Sequence, residues 1–292
     1  MKRVELSGTE LQVVNSNYEV VLSLLEQKLS NYSNKFVVFF EGNLLSLCSG
    51  DPNVLACLKQ ADFIFPDGTA VAKLASWQGG VPVERVSGPT FLLKACEYGQ
   101  SLGWKHFFYG GTPESLEALT LKLKSDYPDL QIVGSYSPPF RALTDLEELD
   151  LKRMVDESKP DFLWVGLGGP KQEFWIQAHR ESLNVPIMLG VGAAFDFHSG
   201  SRPWAPKIIR KLGLEWLWRM VSGGKRTFIR NLKCVSKVSI ILLANFFKYK
   251  IFFAKKQPLH TDFPDEICKG CDGMPCCSST PYCPRRTKKG HL

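Results

Sequence analysis

The chain has 292 residues, of which 44% are hydrophobic, and its formal net charge at pH 7 is +7. This length and apolar content predict a globular protein with one large α/β domain or two small ones. Charged residues recur through the first thirty positions, which excludes an uninterrupted apolar secretory signal there and leads us to expect a cytoplasmic body. Positive charge concentrates at 207–256 and again at 285–289, and this asymmetry predicts an anionic partner.

Apolar runs rich in β-branched and aromatic residues alternate along the chain with longer amphipathic stretches. The runs predict strands at 35–40, 61–65, 105–111, 130–137, 161–169 and 185–192. The stretches between them predict helices at 89–103, 112–126, 145–158 and 171–183. Continuous apolar strands alternating with helices are typical of a mostly parallel sheet covered on both faces. We therefore predict a Rossmann-like, doubly wound α/β domain of about six strands over residues 1–205.

The segments that follow the predicted strands are polar and rich in glycine. They are EGN (41–43), PDGT (66–69), GGTPE (110–114), GLGGPKQE (166–173) and GVGAAFDFHSGSRP (190–203). Turn chemistry explains any one of them, but five at the carboxyl edge of one sheet indicate a binding site. No G-x-G-x-x-G sequence follows the first strand and no Walker sequence occurs, which argues against nicotinamide cofactors and ATP hydrolysis.

Asp67 lies on the turn between a predicted strand and the helix that follows it. A carboxylate there can cap the helix, bind a sugar or accept a proton. Asp196 is a rival because it also follows a predicted strand and stands near His198, although it can instead hold its long loop through backbone amides. We rank Asp67 first as a general base and Asp196 second.

Two further segments offer neutral groups to a ligand. Gly110 and Gly111 allow a close backbone approach and precede helix amides suited to a diphosphate, with a simple cap by Thr112 as the alternative. Gln172, in the first turn of a helix, can donate to and accept from a sugar or base without charge, so we expect it to contact the ligand. Glu173 beside it also suits the helix dipole.

Together these segments closely resemble the WecG/TagA/CpsF family of bacterial glycosyltransferases over about residues 1–232. The resemblance rests on ADFIFPDGTAVAKLA (61–75), ERVSGPTF (84–91), FFYGGTPE (107–114), FLWVGLGGPKQEFWI (162–176), GVGAAFDFHSG (190–200) and APKIIRKLGLEWLWRM (205–220). It implies transfer of a sugar, with N-acetylmannosamine or its uronic acid as the leading expectation, from a UDP-sugar donor to a polyprenyl-diphosphate-linked sugar acceptor. The implied reaction serves cell-surface polysaccharide synthesis, inverts the anomeric centre and needs no metal or other cofactor.

The resemblance also implies roles for particular residues. Asn43 matches a strand-end asparagine of the family, and Arg85 matches an active-site position where a guanidinium can bind phosphate, although it also suits a solvated loop. Arg219 and Arg226 match arginines of a C-terminal appendage, and Arg230 falls in its basic cluster. Since no Asp-x-Asp motif occurs, departing UDP would be stabilised by cations or helix termini.

Two departures from the family pattern affect these expectations. Glu41 stands where members often carry threonine, which puts the donor contacts in question. Glycines at 223 and 224 replace the usual Glu-Pro before Arg226, which predicts a looser hinge.

The remaining chain predicts two further regions, a helical, membrane-proximal appendage at 206–257 and a flexible Cys-rich tail at 258–292. Residues 222–256 mix basic and long apolar runs, but VSIILLANFF is too short to span a bilayer, so we expect peripheral binding to the anionic inner leaflet. The alternative is a helix packed on its own domain or in a homo-oligomer. For the tail, two interpretations stay open, a structural zinc site and a disordered segment. The candidate zinc ligands are Cys268, Cys271, Cys277 and Cys283.

Other classes of function stay open because a fold alone does not give one. A non-catalytic sugar-nucleotide-binding or membrane-recruitment protein is one alternative, and a UDP-sugar hydrolase is another. The expected partners are the UDP-sugar, the lipid-linked acceptor and an anionic membrane surface, and we expect no nucleic acid.

Overall fold

A computed structural model describes residues 2–6, 9–29, 34–222 and 224–256. The chain divides into two units, Met1–Tyr249 and Lys250–Leu292. In the second unit, only the end of a helix up to Lys256 lies among the described residues. The domain boundaries predicted at 205 and 257 stay predictions.

The described residues form strands and helices that alternate through most of the first unit. The strands are β1 (Lys2–Leu6), β2 (Leu11–Asn15), β3 (Lys35–Phe40), β4 (Phe63–Pro66), β5 (Lys105–Gly110), β6 (Gln131–Tyr136), β7 (Phe162–Gly166) and β8 (Ile187–Gly190). The helices are α1 (Tyr18–Leu29), α2 (Gly42–Cys48), α3 (Pro52–Lys59), α4 (Thr69–Gly79), α5 (Gly88–Gly99), α6 (Pro113–Asp126), α7 (Asp145–Ser158), α8 (Lys171–His179), α9 (Ala194–Ser199), α10 (Lys207–Lys211), α11 (Glu215–Ser222) and α12 (Gly224–Lys256).

Six of the described strands form one parallel sheet in the order β4-β3-β8-β7-β5-β6. The predicted Rossmann-like sheet of about six strands is therefore confirmed, and each predicted strand coincides with an observed one to within a few residues. The antiparallel hairpin of β1 and β2 was not predicted. It packs beside β4 and α4, where Val4 and Leu6 are buried.

Local sequence sets where several helices begin. Thr144 and Glu147 form a capping box at α7, in which the Glu147 amide donates to Thr144 Oγ1 at 3.3 Å and the Thr144 amide donates to Glu147 Oε2 at 2.8 Å. Thr112 caps α6, and Pro113 follows it in the first helical turn. Such caps satisfy backbone amides that have no partner inside the helix.

Each face of the sheet is covered by its own group of helices. Alternate residues of β3 point to opposite faces, so Phe36, Val38 and Phe40 pack with α2, α3, α4, α7 and α8. Val37 and Phe39 pack on the other side with α1, α5, α6 and α9. The sheet is therefore packed between two apolar layers, and this packing positions the loops at its carboxyl edge.

The connections open a crevice at that carboxyl edge. Strand β5 continues into α6 on one face, whereas its neighbour β7 continues into α8 on the other. The neighbours β3 and β8 diverge in the same way, into α2 and α9. Ligands of doubly wound sheets bind where adjacent connections leave in opposite directions.

One face of α12 packs on the domain, which was the alternative raised for this segment. Val238 is buried, the Phe246 ring lies 5.5 Å from that of Trp77 on α4, and Gln78 Nε2 donates to Asn245 Oδ1 at 2.8 Å. Other faces of the helix leave Ile240, Leu243 and Phe247 exposed. Within the described part of the chain, no helix combines the length and apolar character needed to cross a bilayer.

Candidate active site

Asp67 follows β4 at the carboxyl edge, where both its backbone and its carboxylate are held by contacts with other segments. Its amide donates to the Phe40 carbonyl at 3.0 Å, its Oδ2 accepts from the Gly88 amide at 3.1 Å, and its Oδ1 lies 3.3 Å from Arg85 Nη2. The N-cap of α4 is Gly68, which has no side chain to cap the helix. The Asp67 carboxylate contacts the start of α5 through the Gly88 amide.

Arg85 joins Asp67 to the C-terminal helices. Its Nη2 donates to Glu215 Oε2 on α11 at 2.9 Å, and its Nε donates to the Asp67 carbonyl at 2.8 Å. Burial acts to lower the pKa of Arg85, but the carboxylates of Asp67 and Glu215 outweigh it and raise that pKa above its ordinary value. Because this side chain is only 21% exposed and doubly paired, it is not a solvated loop arginine.

A basic cavity adjoins Arg85 under the segment that leads into α11. It has a volume of about 500 Å³. Its cations are Arg85, Lys207, Arg210 and Lys211, its hydroxyls are those of Tyr18, Ser87 and Thr90, and its carboxylate is that of Glu215. We call it the basic cavity.

Arg85 was predicted from sequence, whereas the three α10 cations of the basic cavity were not. The signal lies in their spacing, because positions 207, 210 and 211 share one side of a helical turn. The guanidinium of Arg210 is also fixed from one side, since it stacks on the Trp204 ring at 3.7 Å from the centroid.

Gly110 and Gly111 carry β5 into α6 through backbone conformations that favour glycine, with φ of +120° and +70°. A Cβ at Gly110 would lie 2.7 Å from the carbonyl carbon and oxygen of Gly166 on β7. Thr112 Oγ1 accepts from the Ser115 amide at 3.2 Å, so the predicted cap is present. Anion binding by this turn stays a prediction.

Gln172 ties two loops of the carboxyl edge together. It is 4% exposed, and its Oε1 accepts from the amides of Gly168, after β7, at 3.1 Å and Gly192, after β8, at 2.8 Å. Its Nε2 donates to Glu173 Oε1 at 2.9 Å. These contacts occupy both acceptor positions and one donor, so the observed geometry gives Gln172 a positioning role, and its contact with a ligand stays a prediction.

Glu173 is a buried acid that the sequence analysis treated only as a partner of the helix dipole. It is 1% exposed, and its Oε2 has no hydrogen-bond partner among the described residues. Burial, together with the charge of Glu41, raises the pKa of Glu173 to about 7, although hydrogen bonds from Gln172 and the backbone lower it. The carboxyl therefore titrates near neutrality.

Replacing Glu173 by glutamine is expected to remove a pH dependence of stability. The pKa in the folded chain, about 7, exceeds the ordinary 4.5, so the contribution of Glu173 is fully present below pH 4.5 and is lost as the pH rises through 7. Between pH 5 and pH 8, the wild type should lose about 2–3 kcal/mol of unfolding free energy relative to Glu173→Gln.

Urea unfolding at four pH values between 5 and 8 measures this difference. Glu117→Gln, at an exposed position on α6, is the matched control and should follow the wild type. Parallel curves for the wild type and Glu173→Gln would show that the buried carboxyl does not titrate in this range.

Asp196 and its neighbours hold the loop after β8. The Asp196 carbonyl accepts from the Arg202 amide at 3.0 Å and from Ser201 Oγ at 3.2 Å, and its carboxylate, 35% exposed, lies 3.9 Å from Arg202 Nη2. His198 is buried and its Nε2 lies 2.8 Å from the Pro89 carbonyl in the first turn of α5. The backbone carbonyl of Asp196 therefore holds the loop, and the role of its carboxylate stays a prediction.

Asn43 lies in the first turn of α2, and the start of that helix lies beside the Asp67 turn. A Cβ at Gly68 would lie 3.5 Å from the Gly42 amide nitrogen and 3.9 Å from Glu41 Cα. The structure therefore brings the start of α2 close to Asp67 and Arg85.

Other predicted site residues fall partly or wholly outside the described parts. Arg219 lies in α11, and Arg226 and Arg230 lie in α12, but their side chains are not among those described. The zinc-ligand candidates Cys268, Cys271, Cys277 and Cys283 lie outside the described residues altogether. Within the described ranges, no three metal-ligating side chains converge.

Comparisons with known proteins identify the family of the chain. Residues 4–251 match the model of the glycosyl transferase WecG/TagA/CpsF family. Proteins of Staphylococcus aureus strains MW2 and NCTC 8325 / PS 47 are each 29% identical to the chain over 225 residues, which cover 77% of this chain and 82% of theirs. Both are named N-acetylglucosaminyldiphosphoundecaprenol N-acetyl-beta-D-mannosaminyltransferase. The chain is therefore a glycosyltransferase and belongs to the WecG/TagA/CpsF family.

Proposed function

We propose that the chain transfers a sugar from a UDP-sugar to a polyprenyl-diphosphate-linked sugar acceptor, with inversion at the anomeric carbon and without a metal. N-acetylmannosamine is the leading donor sugar, since the named relatives transfer it. The observation that carries the proposal is the carboxylate of Asp67, fixed at the sheet edge by Gly88 and Arg85 next to the basic cavity.

The chemistry follows from the groups at this edge. The Asp67 carboxylate accepts the proton of the acceptor hydroxyl while that oxygen forms a bond to the anomeric carbon. The bond from the same carbon to the β-phosphate oxygen breaks, and its electron pair leaves with UDP. Cations near the edge and the amides that begin α6 stabilise the negative charge that develops on UDP.

A transfer assay tests the proposed function. The purified chain is incubated with a panel of UDP-sugars and a polyprenyl diphosphate N-acetylglucosamine acceptor, with and without EDTA, and the product is analysed by mass spectrometry and NMR. We expect a disaccharide lipid of inverted configuration, from UDP-N-acetylmannosamine above the other donors, and no loss of rate with EDTA. UDP release that does not depend on the acceptor would indicate a hydrolase, and binding without release would indicate a non-catalytic protein.

We also propose that the chain binds the inner face of the cell membrane peripherally, where a lipid-linked acceptor resides. Exposed apolar side chains of α12 include Ile240, Leu243 and Phe247, and exposed lysines of the same helix include Lys233 and Lys237. Apolar side chains at the headgroup boundary combined with cations near an anionic leaflet favour interfacial binding.

The variant Leu243→Ser/Phe247→Ser is expected to weaken binding to phosphatidylglycerol vesicles by about tenfold or more. Each substitution removes apolar area, and full burial of such a side chain contributes roughly 1.5–3 kcal/mol. Vesicle co-sedimentation measures the change. Leu121→Ser/Leu149→Ser, at exposed positions of α6 and α7, is the matched control and should bind as the wild type does. Equal loss in both variants would contradict an α12 membrane face.

A further inference from the structure

The basic cavity holds more positive charge than its protein neighbours neutralise. Glu215 faces Arg85, which already pairs with Asp67, whereas Lys207, Arg210 and Lys211 form no salt bridge with a described carboxylate. Arg210 Nε is buried without a hydrogen-bond partner among the described residues, while its guanidinium stacks on Trp204. Four cations against the two carboxylates of Asp67 and Glu215 leave a net positive charge around this cavity, which indicates an anionic ligand.

The size of the cavity restricts which anions it can hold. Its volume of about 500 Å³ falls in the range of roughly 300–1,000 Å³ typical of small-molecule sites, and it exceeds what a single phosphate needs. A diphosphate that carries a sugar matches both this volume and the number of cations. The cavity also adjoins Arg85, so a sugar attached to a diphosphate here would lie near Asp67.

The surface next to the cavity distinguishes between two sources of a diphosphate, UDP and the lipid-linked acceptor. Ile208, 72% exposed, follows Lys207 within α10, and Leu212, 66% exposed, follows Lys211 at the C-terminal cap of that helix. Exposed apolar side chains next to phosphate-binding cations suit a diphosphate esterified to an isoprenoid. These apolar side chains offer no hydrogen bond to the ribose or uracil of UDP, whereas the cavity hydroxyls of Tyr18, Ser87 and Thr90 suit the sugar of either diphosphate.

We infer that the basic cavity binds the diphosphate of the lipid-linked acceptor through Lys207, Arg210 and Lys211, with the first isoprene units over Ile208 and Leu212. This inference rests on the proposed function. It assigns the two diphosphates of the reaction to separate places, the donor at the Gly110–Gly111 turn and the acceptor in the basic cavity. The acceptor hydroxyl then approaches Asp67 from the side of Arg85.

Direct binding tests the assignment without any sugar transfer. Isothermal titration calorimetry on the full chain uses farnesyl diphosphate, farnesol, inorganic pyrophosphate and UDP as probes. For Lys207→Gln/Lys211→Gln we expect the Kd of farnesyl diphosphate to rise tenfold or more and that of UDP to change less than twofold. Both lysines are exposed, so the variant should fold. Lys122→Gln/Lys152→Gln removes the same charge from surface ion pairs on α6 and α7 and should leave both Kd values within twofold.

A second variant tests the lipid part. Ile208→Ser/Leu212→Ser should weaken farnesyl diphosphate at least fivefold and leave inorganic pyrophosphate unchanged, and farnesol should bind more weakly than farnesyl diphosphate throughout. Loss of UDP binding alone in the lysine variant would assign the cavity to the donor. Equal loss of both ligands, or of neither, would also overturn the inference. A chain that shows the expected binding but transfers no sugar would refute the proposed function and leave this site intact.

Discussion

Replacing Asp67 with asparagine is expected to lower kcat by about 10²–10⁴-fold, because an amide cannot accept the proton of the acceptor hydroxyl. Donor and acceptor KM should change much less, since the amide keeps nearly the same size and shape. The fold should also persist, because the side-chain oxygen of asparagine can still accept from the Gly88 amide. Steady-state kinetics with each substrate varied in turn, together with a thermal unfolding curve, measure these effects.

Two further aspartate variants make the result specific. Asp196→Asn should lose far less turnover than Asp67→Asn, because the loop contacts of Asp196 are made by its backbone carbonyl, which the substitution keeps, and its carboxylate lies 3.9 Å from Arg202 Nη2. Asp129→Asn, at an exposed position before β6, should be indistinguishable from the wild type. If Asp67→Asn is folded and nearly fully active while Asp196→Asn is not, the ranking of the two carboxylates is reversed.

Replacing Gly110 with alanine is expected to lower the free energy of unfolding by about 4 kcal/mol. Two separate costs combine at this position. A φ of +120° is strained for any residue with a Cβ, and that Cβ would lie 2.7 Å from the carbonyl carbon and oxygen of Gly166. Because the obstacle is backbone of the paired strand β7, relief requires β5 and β7 to separate at the carboxyl edge.

A glycine series distinguishes the two costs by urea unfolding. Gly111→Ala keeps a positive φ of +70° but meets its nearest atom at 3.7 Å, so it should lose only about 1–2 kcal/mol. Gly50→Ala lies after α2 with its nearest neighbour, Lys237 Nζ, at 3.8 Å, and it should change stability by less than about 1 kcal/mol. Equal losses at Gly110 and Gly111 would show that the close approach to Gly166 carries no cost.

The strands of the central sheet could be predicted from sequence because each of them is buried on both faces. Runs such as KFVVFF at β3 and FLWVG at β7 have the continuous apolar character that such burial requires. The hairpin of β1 and β2 was missed although Val4 and Leu6 alternate with Arg3 and Glu5, which is the pattern of a half-buried strand. The order of strands in the sheet depends on packing between distant segments, which local patterns do not encode.

The candidate site could be predicted only in part, because it too depends on contacts between distant segments. Strand-end position led to Asp67, and the structure adds its contact with Gly88 at the start of another helix. Nothing local to Glu173 indicates that it is buried without a partner for Oε2. Likewise, Lys207 and Lys211 read as part of a general basic segment, and only the folded chain brings them to the void beside Arg85.

The guanidinium of Arg85 has a thermodynamic consequence, because it bonds at once to Asp67 at the sheet edge and to Glu215 on α11. A substrate that competes for this arginine must weaken the attachment of α11, and linkage requires that an attached α11 weaken that substrate by the same factor. A substrate that instead strengthens the contact among Asp67, Arg85 and Glu215 favours the attachment of α11, and the attached α11 favours binding of that substrate by the same factor. We therefore expect ligand affinity at Asp67 and the docking of the C-terminal helices to change each other's free energy by the same amount. Either change can be measured, as an affinity or as the stability of the docked helices.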